Sequence, residues 1–314
     1  MEPLALEPVL AQLLRLVGEP GVTDVLLNGP SQVWVDRGAG LQDSQAFQLS
    51  GELLLELGFS LAQLADRHVD LANPMGDFVL GSRQLPPLAQ LGVESLRVHV
   101  VLESAVSPVT LLSVRVHRVG GLPLATLAES GFCTGSQLRE LQVLASGGAN
   151  FLISGAAGCG KTTLLRAMLQ QTPALRTVII EDSAELVPAA GHLLGLQTRQ
   201  ANTEGRGEIG AAQLLRQALR MRPDRLVVGE IRGDEVSVLM QALNTGHLGS
   251  AATIHANSAV SVPSRLLGLA LQAGVPESVF WLTAPQAFHW VIQLERVDGK
   301  RRVQGIHAWA ELAS

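Results

Sequence analysis

Gly155-Ala156-Ala157-Gly158-Cys159-Gly160-Lys161-Thr162 fits the spacing G-x-x-x-x-G-K-[ST]. That spacing is chemistry for a triphosphate tail. Backbone amides must point inward around phosphate oxygens, and Gly155, Gly158 and Gly160 can adopt the positive φ values this requires. The amide of Cys159 joins the same cradle. Lys161 is one of only two lysines in the chain, the other being Lys300. A compact ammonium suits the β- and γ-phosphates inside a tight loop, where the wider arginine fork would not fit. Thr162 is the expected Mg²⁺ ligand, and Thr163 donates to a phosphate oxygen.

Phosphate chemistry also needs a carboxylate at the end of a neighbouring strand, to hold the metal and orient the attacking water. Leu226-Val227-Val228-Gly229-Glu230 supplies one. Glu230 is the candidate general base, with a strand-capping surface glutamate as the alternative. A second acidic cluster, Glu181, Asp182 and Glu185, ends the run "TVIIEDSAEL". Three carboxylates so close repel one another unless a cation intervenes, so Glu181 points to Mg²⁺ or to the water. The alternative is a helix start capped by Asp182 or Ser183, with Glu185 completing the capping box. The metal set expected from these runs is Thr162, Glu181 and Glu230, partly through water.

His247 and His255 flank an apolar run in "NTGHLGSAATIHANS". A neutral imidazole there can donate to a γ-phosphate; no third ligand stands at zinc spacing. Hydrolysis also needs positive charge opposite the leaving phosphate. Arg97, Arg115, Arg118, Arg199 and Arg206 are the candidates, and spacing alone does not rank them.

These residues need a scaffold. Phe151–Ser154, Val178–Ile180, Leu226–Gly229 and Ala251–Ile254 are four short apolar strands separated by stretches of helix length, the signature of a parallel α/β sheet. Thr162–Gln171 is the amphipathic helix leaving the glycine loop. From about Ala270 the chain turns strand-like, with a hairpin turning at Asp298-Gly299. Residues 1–120 read as an α+β domain, with helical Pro8–Val17 and Leu49–Arg67 and strands around Val25, Val35, Val98 and Val114. Residues 121–148 read as a linker and first helix, and 149–314 as the phosphate-binding domain.

The 314 residues carry 47% hydrophobic and 16% charged side chains, below the ~25% charged of an average chain, so a large core is expected. A net charge of −5 argues against a nucleic-acid groove. Cys133 and Cys159 are too few for a disulfide framework. The uncharged run Leu141–Gly160 holds five glycines, Asn150 and Gln142, which disqualifies it as a membrane span. Glu2 and Glu7 stand where a signal peptide carries cations. A cytoplasmic protein with no direct membrane insertion is expected.

The phosphate loop, "IIEDSAEL", "TRQANTEGRGE", "LLRQALRMRPDRLVVGEIRGDE" and "NTGHLGSAATIHANS" occur in that order. Together they resemble the ATPases of type II and type IV secretion systems, most of all the tight-adherence (Tad/CpaF-type) branch that assembles Flp-type pili. The resemblance implies a RecA-like P-loop domain behind a smaller α+β domain. It implies ATP and Mg²⁺ as ligands, a homo-hexameric ring with ATP between the two domains, and a place at the inner face of the cell membrane beside a platform protein. It makes "IIEDSAEL" the Asp box, "LVVGEIRG" the Walker B segment and "TGHLGSAATIHAN" the His box. Glu230 then becomes the catalytic glutamate, Glu181 the metal-side glutamate, and His247 and His255 the His-box residues. By the same likeness Arg97, Arg115, Arg199 and Arg206 contact the nucleotide. Ala156, Ala157 and Cys159 depart from the family's threonine and serines; backbone amides carry the binding, so activity is expected to survive, with a thiol open to alkylation. A RecA-like nucleic-acid motor and a nucleotide-binding regulator without turnover are the rival readings.

Overall fold

Residue alternation builds the first half of the chain. The computed structural model describes residues 6–38, 40–44, 49–118, 120–186, 191–199 and 206–313, and it divides into two units, Met1–Val119 and Gly120–Ser314. The first contains α1 (Leu6–Gly18), β1 (Asp24–Asn28), β2 (Val33–Asp36), β3 (Leu41–Ser44), α2 (Gly51–Leu64), β4 (Met75–Gly81), α3 (Pro87–Gln90), β5 (Val93–Val101) and β6 (Leu111–Arg118). The strands form an antiparallel sheet in the order β3-β2-β1-β6-β5-β4. Val98, Val100, Leu112 and Val114 face the core with Leu13 of α1 and Leu54, Leu57 and Leu61 of α2. Arg97, His99, Ser113 and Arg115 occupy the intervening, opposite-facing positions. Ser50 caps α2 by accepting from the Leu53 amide at 3.2 Å, where the sequence places the helix start.

The second unit follows with α4 (Leu124–Glu129), α5 (Gly135–Ala145), β7 (Phe151–Ser154), α6 (Lys161–Leu169), β8 (Thr177–Glu181), β9 (Leu193–Gln197) and α7 (Ala211–Ala218). Then come β10 (Arg225–Val228), α8 (Glu235–Leu243), β11 (Ala251–Ile254), α9 (Val262–Gln272), α10 (Glu277–Ala287), β12 (Trp290–Val297), β13 (Lys300–Ala308) and α11 (Trp309–Leu312). The sheet order is β13-β12-β7-β11-β10-β8-β9. Only β13 is antiparallel to its neighbour.

The central strands β7, β8, β10 and β11 are buried on both faces, as a doubly covered parallel sheet demands. Leu152, Ile180, Val228 and Ile254 point to one side, into a core with α8, α9 and α10. Phe151, Ile153, Ile179 and Val227 point to the other, into a core with α4, α5 and α6. All four sequence-read strands are present. β3, β4 and β9 are additional, and residues 277–287 are helical where strand was expected. There Phe280, Ala284 and Ala287 recur at helical spacing on the buried face, and that burial outweighs the β-prone side chains between them. Thr134 and Gln137 form a capping box on α5. Leu124, Leu127, Leu141 and Leu144 lie in the core of the second unit, so α4 and α5 are structural parts of it. No helix among the described residues is long and apolar enough to cross a membrane.

Asn150 fastens the entry of β7. Its buried side chain donates to Ala287 O at 2.9 Å and accepts from the Ser250 amide at 3.0 Å, tying the neighbours β11 and β12 at one point. Asn150→Ala would leave both backbone groups without partners, at about 1–3 kcal/mol each. We expect a clearly lower urea midpoint at unchanged m-value; an unaltered midpoint would show that the tie contributes nothing.

Candidate functional site

The site lies at the carboxyl ends of β7, β8, β10 and β11, where open α/β sheets bind ligands. The loop leaving β7 needs its glycines. Gly160 has φ +97°, and at Gly155 (φ +149°) a Cβ would sit 2.6 Å from Leu294 O and 2.7 Å from Cys159 Sγ. Helix α6 begins at Lys161, so its N-terminal amides face the loop's concavity. Thr162 and Thr163 are half-buried in the first turn.

Lys161 is buried, and its ammonium donates to Gly155 O at 2.9 Å and Ala156 O at 3.0 Å. Burial lowers its pKa, with the Cys159 and Glu230 charges opposing. Its third contact is His255 Nδ1 at 3.1 Å. An ammonium has donors only, so Nδ1 is the acceptor and the ring proton sits on Nε2. That nitrogen stands 2.6 Å from Glu230 Oε1. The other Glu230 oxygen pairs with Arg232, whose Nε lies at 2.5 Å. Arg232 also donates to Asp182 at 2.9 Å, and Asp182 accepts from Thr198 Oγ1 at 2.9 Å. One polar line therefore runs Lys161–His255–Glu230–Arg232–Asp182 across β7, β11, β10 and β8.

The backbone fixes this line. Ile231 N donates to Thr253 O at 2.8 Å and Thr253 Oγ1 to Gly229 O at 2.5 Å, so Glu230 and His255 are carried by two strand ends bound to each other. Glu235 accepts from the amides of Arg232 and Gly233 and shapes the turn bearing Arg232. Sequence reasoning did not single out Arg232. Its only signal is its place two residues beyond Glu230, and its second partner is fifty positions away.

Glu181 takes a different place from the one expected. Its carboxyl accepts from the amides of Leu186 at 3.0 Å and Glu185 at 3.2 Å. No helix begins within 182–186, so the capping-box reading gives way to a glutamate that caps its own loop. Burial pushes its pKa up to about 8, against the pull of those amides. Gly229 makes room for it, since a Cβ there would come within 3.0 Å of Glu181 Cγ. His247 likewise stays out of the polar line. Its Nδ1 meets Ala242 O at 3.0 Å at the end of α8, satisfying a terminal helix carbonyl.

Cys159 is 1% exposed and burial raises its thiol pKa, which corrects the expectation of an alkylation-sensitive thiol; its amide donates to Ala156 O at 3.5 Å. Arg97 is held bidentately by Asp77 at 2.7 and 3.1 Å, and Arg115 by Asp24 at 3.0 Å. The two arginines are cross-strand neighbours in the first unit. Arg118 donates to Leu91 O and Glu19 O. Arg199 is exposed and donates to Gly207 O at 2.6 Å; Arg206 is exposed on the same connection, and residues 200–205 of that motif lie outside the described ones.

No group of three or more His, Cys, Asp or Glu side chains that could hold a metal occurs among the described residues. Mg²⁺ is held by one or two protein oxygens plus phosphates and water. The Thr162 hydroxyl and the Glu230 carboxylate are the donors that fit.

The Glu181 assignment has a measurable sign. A carboxyl with a folded pKa near 8 against an ordinary 4.5 adds stability fully present below pH 4.5 and lost as pH rises towards 8. In EDTA, wild-type stability should fall across that window more steeply than that of Glu181→Gln. Parallel slopes would mean the folded protein holds Glu181 ionised.

A model of the type II/IV secretion system protein family matches residues 9–296. A Mycobacterium tuberculosis protein named for conjugal transfer is 41% identical over 288 residues, covering 91% of this chain and 80% of that protein. The type IV secretion system protein PtlH of Bordetella pertussis is 31% identical over 309 residues, covering 90% and 87%. Among solved structures, the ATPase DotB of Legionella pneumophila aligns with TM-score 0.68 at 19% identity, over 100% of this chain and 83% of that one. The pilus retraction motor PilT with bound ADP aligns at 0.66 and 20% identity, over 97% and 82%. A glycine loop, an ordered polar line at the ends of parallel strands and a family match over most of the sequence lead to one statement: this chain is a member of the type II/IV secretion system protein family.

Proposed function

We propose that the protein is an ATPase that powers a secretion or pilus-assembly machine. The observation that carries this reading is the line joining the phosphate-loop ammonium to a strand-end carboxylate through one imidazole. A triphosphate entering the loop offers Lys161 anionic oxygens in place of two neutral carbonyls. The carbonyls carry only partial charge, whereas phosphate oxygens add full opposite charge at the same distance, so the exchange favours the ligand. His255, freed from Nδ1 contact, keeps its Nε2 within 2.6 Å of Glu230 Oε1. Glu230 then orients a water and takes its proton as the water attacks the γ-phosphorus and the bond to the β-phosphate oxygen breaks, giving ADP and phosphate.

Arg232 must loosen from Glu230 before that carboxylate can act. It pairs with Glu230 and Asp182 together. Mg²⁺, bound by Thr162 and Glu230 and reached by Glu181 through water, would neutralise charge on the phosphates. Arg97, Arg115, Arg199, Arg206 and His247 remain nucleotide contacts by family likeness, and the first two would have to exchange a carboxylate for a phosphate.

The finer reading is a homo-hexamer of the tight-adherence branch, peripheral to the inner membrane face. It would act on Flp-type pilin through a platform protein, with the net charge of −5 setting it apart from a nucleic-acid motor.

Lys161→Ala should abolish ATP and ADP binding in calorimetry with the fold intact by circular dichroism; retained affinity would refute the loop assignment. Glu230→Gln should bind ATP yet release phosphate ~10²–10⁴-fold more slowly, the usual contribution of a positioned base. Turnover within a few-fold of wild type would remove Glu230 from the reaction.

A further inference from the structure

The β12–β13 hairpin places a cation beside the phosphate loop that no reading above has used. β12 runs parallel to β7, pairing Trp290 with Phe151 through Gln293 with Ser154. β7 ends there and the loop begins, but β12 continues to Val297. The hairpin therefore rises along the flank of the loop, where Gly155 leaves no room for a Cβ against Leu294 O. On the returning strand Arg301 stands opposite Arg296. Its Cδ would lie 3.6 Å from a Cβ at Gly160, the residue before Lys161, and the Phe132 ring closes the other side at 3.2 Å.

The neighbouring cations have partners. Arg302 pairs with Glu295 at 2.6 Å and Arg296 donates to Gly299 O at 3.3 Å. Arg301 has no carboxylate partner among the described residues, and its solvent-shielded Nε has no acceptor. A charged group whose Nε is shut off from water and left without an acceptor, beside another cation, is unfavourable unless an anion completes it.

Sheet order says which part of an anion it would meet. Lys161, His255 and Glu230 mark the γ-phosphate end, over β7, β11 and β10. Arg301 stands on the opposite flank, because β12 and β13 lie on the other side of β7. A nucleotide with its γ-phosphate at Glu230 runs back across the loop towards that flank.

We infer that Arg301 is a nucleotide-binding residue that takes the α-phosphate end of the ligand, from the same chain that supplies the loop. The inference rests on the proposed nucleotide site. Its mark is indifference to the γ-phosphate. By calorimetry, Arg301→Gln in the full chain should weaken ADP and a non-hydrolysable ATP analogue by the same factor, roughly tenfold for one charge-assisted contact. KM for ATP should rise in step. Arg301→Lys should recover part of the loss, since it keeps the charge but not the planar fork. Arg302→Gln should bind both ligands like wild type.

The melting temperature of ligand-free Arg301→Gln should equal or exceed that of wild type, because the deleted charge lacks a partner; a lower value would give Arg301 a structural role and overturn the inference. So would unchanged ADP affinity, a loss confined to the triphosphate analogue, or an equal loss in Arg302→Gln. If wild type itself binds neither ligand, the proposed function fails instead.

Discussion

Everything at the site depends on where one buried ammonium finds its acceptors. Lys161 sits under the loop with two backbone carbonyls and one imidazole nitrogen in reach. Because an ammonium cannot accept, this arrangement dictates the histidine tautomer and puts the ring proton on Nε2, the nitrogen 2.6 Å from Glu230 Oε1. A single cation thus sets the polarity of a line of side chains drawn from four strands. The loop glycines, the helix start at Lys161 and the strand order all serve to bring that cation to the right depth. Burial already disfavours its charge, so an anion is the partner that relieves the cost.

Acids on neighbouring strands divide their work by environment. Glu230 is partly open and held between an imidazole and a guanidinium. Glu181, one strand further along, is enclosed and drawn onto amides of its own loop. Two glutamates that look alike in sequence, each ending an apolar run, therefore meet different partners. The difference comes from Gly229, whose missing side chain is what lets Glu181 turn inward.

The sequence carries the central parts of this picture openly. Strands β7, β8, β10 and β11 are short apolar runs with nothing else to be, and the glycine loop has one reading. The turn at Asp298-Gly299 follows from its residue types, and both adopt positive φ. What escaped is what depends on distant partners. α10 is rich in β-prone residues, and only its burial against α8 and α9 makes it helical. β9 carries a glycine in mid-strand. Arg232 and Arg301 are two arginines among many until the fold sets one between Glu230 and Asp182 and the other against Gly160. Glu181 was chosen for its position, but position does not tell which way a side chain turns.

The approach of Gly155 to the β12 backbone has a bearing on how the family can vary. A contact made by main-chain atoms is indifferent to the side chain that carries it, so Leu294 can be replaced without losing it. The hairpin's length is another matter. The ladder slips register between Gln293 and Leu294, one position before the carbonyl that meets Gly155. An insertion or deletion there would shift that carbonyl along the loop and spoil the seat of the ammonium from outside. Among relatives, the β12 stretch around Leu294 should tolerate side-chain changes better than indels.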